Sequence, residues 1–144
     1  MSLIRGQTLG ERWDFLTRDE KKSVCGQLGQ IMNTLRDTDQ PPAHKVIGSA
    51  MSRPIQDNYF RDGREAGPFR SVNAFNDYVQ LEAISQLPMS ERPEDPYRSL
   101  LPDKGHIVFT HANLQLQNIF VSQTSGQIRI AGIVDWEQAG WYPG

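Results

Sequence analysis

After Thr17 the apolar residues recur at helical spacing: Val24, Leu28, Ile31, Met32 and Leu35 fall on one face. Lys21, Lys22, Gln27 and Asn33 fall on the other face and read as solvated surface. Thr17 and Glu20 have the spacing of a capping box, so a helix is predicted to begin there. It is predicted to end near Asp37, because Pro41-Pro42 lacks the amide hydrogens a helix needs and disfavours helical geometry just before it. A second helical pattern covers residues 71–87, with Phe75, Tyr78, Val79 and Ala83 inward and Pro88 as its stop. Residues 91–102 are rich in proline and charge and predict one short helical turn around 97–101. Between the two helices, residues 40–70 scatter Pro, Gly, Asp and Asn without a period, which predicts a long loop with short strands near Val46-Ile47.

From Ile107 the period changes. Three short apolar runs, at 107–109, 119–121 and 128–134, read as strands. The polar cluster at 122–127 between the last two is turn chemistry, with Gly126 free to take a positive φ, so a β-hairpin is expected. Asn118 then stands just before one strand and Asp135 just after its partner. Two oxygen-bearing side chains therefore meet at one end of the hairpin, close enough to share a divalent cation.

The chain has 144 residues, enough for one domain that buries roughly two thirds of its unfolded surface. A formal charge of −2 supplies no excess of cations to attract phosphate backbones, so nucleic acid is not an expected partner. The single cysteine, Cys25, has no internal partner for a disulfide. No apolar run approaches the ~20 residues that span a bilayer, and residues 1–5 do not open a signal peptide. A cytoplasmic setting, with no membrane partner and a small-molecule ligand, is the expectation.

The densest chemistry lies in His111-Ala112-Asn113-Leu114, Asn118-Ile119-Phe120-Val121 and Asp135-Trp136-Glu137-Gln138-Ala139-Gly140-Trp141-Tyr142-Pro143. In order and spacing these resemble the catalytic loop and metal-binding strand of the aminoglycoside phosphotransferase and choline kinase-like family, in its fungal branch. The resemblance implies an α+β fold, a protein-kinase-like C-lobe that is mainly helical with a small β-hairpin carrying the catalytic-loop and metal-site remnants. Gly10-Glu11-Arg12-Trp13, Ile47-Gly48-Ser49 and Gly67-Pro68-Phe69 resemble earlier segments of the same family. No glycine-rich phosphate loop or strand lysine precedes Trp13, so the expectation is a truncated C-lobe domain over 1–144 without its nucleotide-binding lobe.

One letter departs from the family pattern. Asn113 stands where the family carries the aspartate that accepts the substrate's proton, and an amide has no basic lone pair at neutral pH. By resemblance, Asp135 and Asn118 are the magnesium ligands. Without a nucleotide-binding lobe most of that coordination sphere would be water, so the expectation is no cofactor, with the two side chains bracing the hairpin ends. His111 resembles a histidine that braces the loop. Ala112 replaces a glycine, and the loop is expected to shift if that position needs a positive φ.

Glu137 lies two residues beyond Asp135, so in an extended segment both carboxylates face one side and form an acid–base pair. Trp136, Trp141 and Tyr142 surround the site and are expected to be exposed. Such a surface would form a small-molecule pocket or the contact of a homodimer. By resemblance, the loop before the second helix walls the acceptor side, which nominates Tyr59 and Arg64 with Arg53, Asp57 and Phe60. Three functions fit this pattern. The first is a kinase-fold remnant that has lost phosphotransfer and binds a small molecule or partner. The second is a repurposed acid–base enzyme of isomerase, cyclase or lyase type that uses Asp135, Glu137, Asn113 and His111. The third is a phosphotransferase that borrows a separate nucleotide-binding lobe.

Overall fold

A computed structural model describes residues 4–42, 45–56, 60, 65–85, 87–93 and 97–144. Strand β1 (Gln7–Thr8) leads at once into the short helix α1 (Leu9–Arg12), capped by a reciprocal pair that the hydrophobic pattern did not reveal. The Glu11 carboxylate accepts the Thr8 N–H at 2.8 Å, and Thr8 Oγ1 accepts the Glu11 N–H at 3.2 Å. After one tight turn at Trp13–Phe15, helix α2 (Arg18–Arg36) starts on the same device at Thr17 and Glu20, and closes at Asp37, as the sequence predicts. Capping satisfies amides that the first turn of a helix leaves unpaired.

Val24 is fully buried and Leu28 packs beside it, so the predicted apolar face of α2 is the inner face. Gln27 departs from its expected solvated role. Its Nε2 donates to the Ile128 carbonyl at 3.1 Å and its Oε1 accepts the Ile130 N–H at 3.0 Å.

The stretch from 40 to 70 carries β2 (Gly48–Ser49), β3 (Ile55–Gln56) and β4 (Glu65–Ala66), the last two paired with each other. Helix α3 (Val72–Ser85) follows, stopping short of Pro88. It turns Phe75, Tyr78 and Val79 into a second core, while Ala83 is exposed rather than inward. Then come β5 (Ile107–Thr110), β6 (Ile119–Thr124), β7 (Gln127–Ile133) and β8 (Gly140–Pro143). The predicted turn at 97–101 is a single helical turn at Arg98–Leu100. The β6–β7 hairpin is present, with Ser125 (φ 52°) and Gly126 (φ 77°) both left-handed, the geometry that matches the twist of a two-residue hairpin.

The fold is mixed α and β. Beyond the expected hairpin, the strand at 107–109 and the short strands near Val46-Ile47, the described residues form sheets in the orders β1-β6-β7, β2-β8-β5 and β3-β4. Strand β8 is the central strand of its sheet, pairing Trp141 with Phe109 on one side and with Gly48 on the other. Gly140 permits that crossing: a Cβ there would lie 2.3 Å from the Gly48 carbonyl oxygen.

Two cores result. Leu9, Leu16, Val24, Ile119, Val121 and Ile128 join α1 and α2 to the first sheet; Ile47, Ile55, Phe60, Ala66, Val72 and Tyr142 join α3 to the second. A polar clamp holds α3 to the chain before β5. Arg98 contacts Asp77 and Asp103, each at 2.6 Å, and the buried Asn76 donates to Asp103 Oδ1 at 3.1 Å and to the Pro102 carbonyl at 3.0 Å. Among the described residues no helix is long and apolar enough to cross a membrane.

Candidate functional site

The site forms where β5, the open end of the β6–β7 hairpin and the approach to β8 converge. His111 follows β5 directly and is 1% exposed. Its Nε2 is 2.9 Å from the Val134 carbonyl oxygen, and Nδ1 lies 3.2 Å from the Asn113 amide nitrogen. Since a carbonyl only accepts and an amide N–H only donates, these partners select the Nε2–H tautomer of a neutral ring. The ring also contacts Trp136, centroids 4.4 Å apart. With both nitrogens engaged, His111 has no atom left to carry a proton to a ligand.

Ala112 adopts φ 63°. The loop has therefore not shifted away from the left-handed conformation: the alanine takes it, at a penalty of about 1 kcal/mol that glycine would escape. This bend carries Asn113 toward the hairpin. Asn113 Nδ2 donates to Asp135 Oδ2 at 2.5 Å, and Asn113 Oδ1 accepts from Gln115 Nε2 at 2.9 Å. Gln115 is a member of this network that residue types alone do not single out. Its position two residues beyond Asn113, where its own N–H bonds back to the Asn113 carbonyl at 2.9 Å, is the signal that could have found it.

Asn118 ends a one-turn helix at Leu116–Asn118 just before β6. Its Nδ2 donates to the Asn113 carbonyl at 2.9 Å and to Asp135 Oδ2 at 3.1 Å, while its backbone carbonyl accepts the Val134 N–H at 2.9 Å. Asp135 Oδ2 thus takes two amide hydrogens. Hydrogen bonds to a charged acceptor contribute roughly 1.5–3 kcal/mol apiece. The predicted convergence of Asn118 and Asp135 is there, and it is built of direct hydrogen bonds.

Asp135 itself has φ 65°, so the chain leaving β7 is not extended. That removes the alternation on which a shared face for Asp135 and Glu137 depended. Asp135 is half-buried in the network, whereas Glu137 is exposed in the turn that follows. The extended geometry that the expected carboxylate pair assumed is therefore absent.

The aromatic expectation also changes. Trp141 is 4% and Tyr142 9% exposed, because β8 lies inside its sheet. The Tyr142 hydroxyl donates to the Gln138 carbonyl at 3.0 Å, and Trp141 packs edge-on against Phe109. Only Trp136 reaches the surface, at 38%, with its Nε1–H donating to the Ile133 carbonyl at 2.7 Å. The three rings therefore form no exposed patch for a homodimer. Phe60, nominated as a wall residue, is buried against Tyr78. Arg53 is exposed, and Tyr59, Arg64 and Asp57 lie outside the described residues.

For a metal, the donors in this network are the second oxygen of Asp135 and the side-chain oxygen of Asn118, since their other polar atoms are spent on each other. Two hard oxygen donors fit magnesium when phosphate or water oxygens fill its remaining positions. Among the described residues no cluster of three or more His, Cys, Asp or Glu side chains could hold a metal by itself. The arrangement can present a carboxylate oxygen, an amide and an indole face to a ligand, and it has no base at Asn113.

Residues 1–143 match the phosphotransferase enzyme family designated APH, and the chain belongs to that family. The resemblance to aminoglycoside phosphotransferase-like proteins is thereby shown. No curated protein and no solved structure matches the chain.

Proposed function

We propose that this phosphotransferase-family domain is a kinase-like C-lobe that has lost base-assisted phosphoryl transfer and binds a small molecule in the former substrate cleft, beside Asn113, Asp135 and Trp136. One observation carries the reading. The loop position that the family resemblance gives to a proton-accepting aspartate holds an amide whose nitrogen is donated to Asp135 and whose oxygen is occupied by Gln115. A general base supplies typically 10²–10⁴-fold in rate, and Asn113 has no proton affinity with which to supply it. Asp135 and Asn118 remain suited to a magnesium ion that brings its own phosphate oxygens. That ion would neutralise phosphate charge. In this reading the ligand is a soluble cytoplasmic metabolite.

The test compares the protein with its Asn113→Asp variant for phosphoryl transfer from magnesium–ATP to a panel of alcohols and aminoglycosides. The expected outcome is no transfer above background by the native chain. Native turnover within tenfold of an active Asn113→Asp variant overturns the proposal. Ligand binding is followed through the fluorescence of Trp136 against a metabolite library, with Asp135→Ala and Trp136→Phe as controls.

A further inference from the structure

A second site, lined by none of the residues of the Asn113–Asp135 network, is written in the distribution of charge. Three cavities on the described chain have volumes of about 320, 300 and 680 Å³. The second sets Asp19 and Glu20 against the single Arg129, which leaves its lining net negative, and the third sets Asp39 against Lys45. The first is different. It is lined by Arg5 and Arg12 with Gln7, Ser122, Gln123, Val121 and Ile128, and no acidic side chain lines it.

Among the described residues neither guanidinium has a salt-bridge partner, since both ion pairs there belong to Arg98. The carboxylate beside Arg12 in sequence, Glu11, spends one oxygen on the Thr8 backbone and hydroxyl, at 2.8 and 3.0 Å. Glu20, which feels the charge of Arg12, is likewise engaged by the Thr17 backbone and hydroxyl. These hydrogen bonds orient both carboxylates without cancelling their charge, so Glu20 partly offsets Arg12 from outside the lining of the recess.

The backbone explains the hollow. Strand β6 pairs with β7 along its whole length, but β1 covers its other edge only at Phe120 and Val121. Among the described residues β1 pairs with β6 no further than Val121, and the chain at Gly6 lies so close that a Cβ would fall 2.5 Å from the Val121 carbonyl oxygen. The recess lies where β1 stops, lined by residues 5–7 and 121–123, with Arg12 and Ile128 completing it. Its volume stands at the lower end of the ~300–1,000 Å³ of small-molecule pockets. Two guanidiniums in the lining match the two charges of a phosphate monoester, and Val121 and Ile128 add apolar surface for an apolar body.

We propose that this recess binds a small phosphomonoester dianion carrying an apolar group, independently of the cleft at Asp135. The probe is phenyl phosphate, titrated into isotopically labelled protein and followed by amide chemical shifts, with inorganic phosphate and phenol run separately. Saturable shifts at Gly6, Gln7, Ser122 and Gln123 are expected, weakened at least tenfold in Arg12→Gln, weakened in Arg5→Gln, and reduced as ionic strength rises. Asp135→Ala is expected to leave these shifts in place, which separates failure here from failure of the cleft reading. The proposal is overturned by an absence of saturable shifts at those amides, by binding that survives Arg5→Gln and Arg12→Gln together, or by binding lost in Asp135→Ala alone. Equal affinity for phenol, with no dependence on salt, likewise rejects an anion site. Because both arginines are at least partly exposed, unchanged far-ultraviolet dichroism of the variants is the control for folding.

Discussion

Asn113 Nδ2 donates to Asp135 Oδ2 across 2.5 Å, so the residue that resembles a catalytic base is hydrogen-bonded to the residue that resembles a metal ligand. An aspartate in the same place could not make this contact at neutral pH, since two carboxylates would face each other. Asn113→Asp is therefore expected to lose about 1–3 kcal/mol of stability at pH 7. Part of the loss should return below about pH 4, where carboxyls take up protons. Urea unfolding of both proteins at pH 4 and pH 7 measures it, and an equal difference at the two values contradicts it.

Ala112 bears the left-handed bend that places Asn113. Replacing it by glycine relieves the Cβ clash while loosening the unfolded chain, and the first effect is the larger. The expected result is a gain of about 0.5–1 kcal/mol. Thermal unfolding decides the sign; a lower midpoint would show that the loop is not strained at this residue.

Gln27 closes the outer edge of β7 with two hydrogen bonds to Ile128 and Ile130. Gln27→Leu keeps the bulk and removes both, leaving an exposed edge with unpaired backbone groups. A loss of about 1–2 kcal/mol is expected, together with self-association that grows with concentration. Sedimentation of the variant beside the native chain tests the second part, and a monomer at all concentrations refutes it.

Asp103 sits between the amides of Asn73 and Asn76 and the guanidinium of Arg98, which together hold its carboxyl below the ordinary aspartate value. Because the folded value is the lower one, its contribution is complete above the unfolded pKa of about 3.9 and is lost as pH falls through the depressed value. Glu20, lowered by the Thr17 backbone and hydroxyl, acts in the same direction. Asp103→Asn should therefore flatten the acid limb of a stability–pH curve without steepening the neutral region. An unchanged acid limb would remove Asp103 from the account.

Local chemistry made much of this legible. Thr17 and Glu20 announced the start of α2, the 122–127 cluster announced the β6–β7 turn, and strand pairing alone brought Asn118 toward Asp135. The extended backbone assumed between Asp135 and Glu137 is absent because Asp135 takes a positive φ, which no pattern of residue types encodes. Gln27 was misread because its partners lie 101 and 103 residues away.

By itself, then, the sequence determined the period of each element, the caps that bound the long helix, and the chemical fact that position 113 is an amide; all three are properties of side chains and near neighbours. Only the tertiary structure decided that Trp141 and Tyr142 are buried and that the Asn113 amide faces Asp135. Burial of β8 requires strands drawn from both β2 and β5, and the direction of a side chain at a left-handed bend requires the backbone that carries it. Such relations depend on contacts distant in sequence, and residue spacing does not contain them.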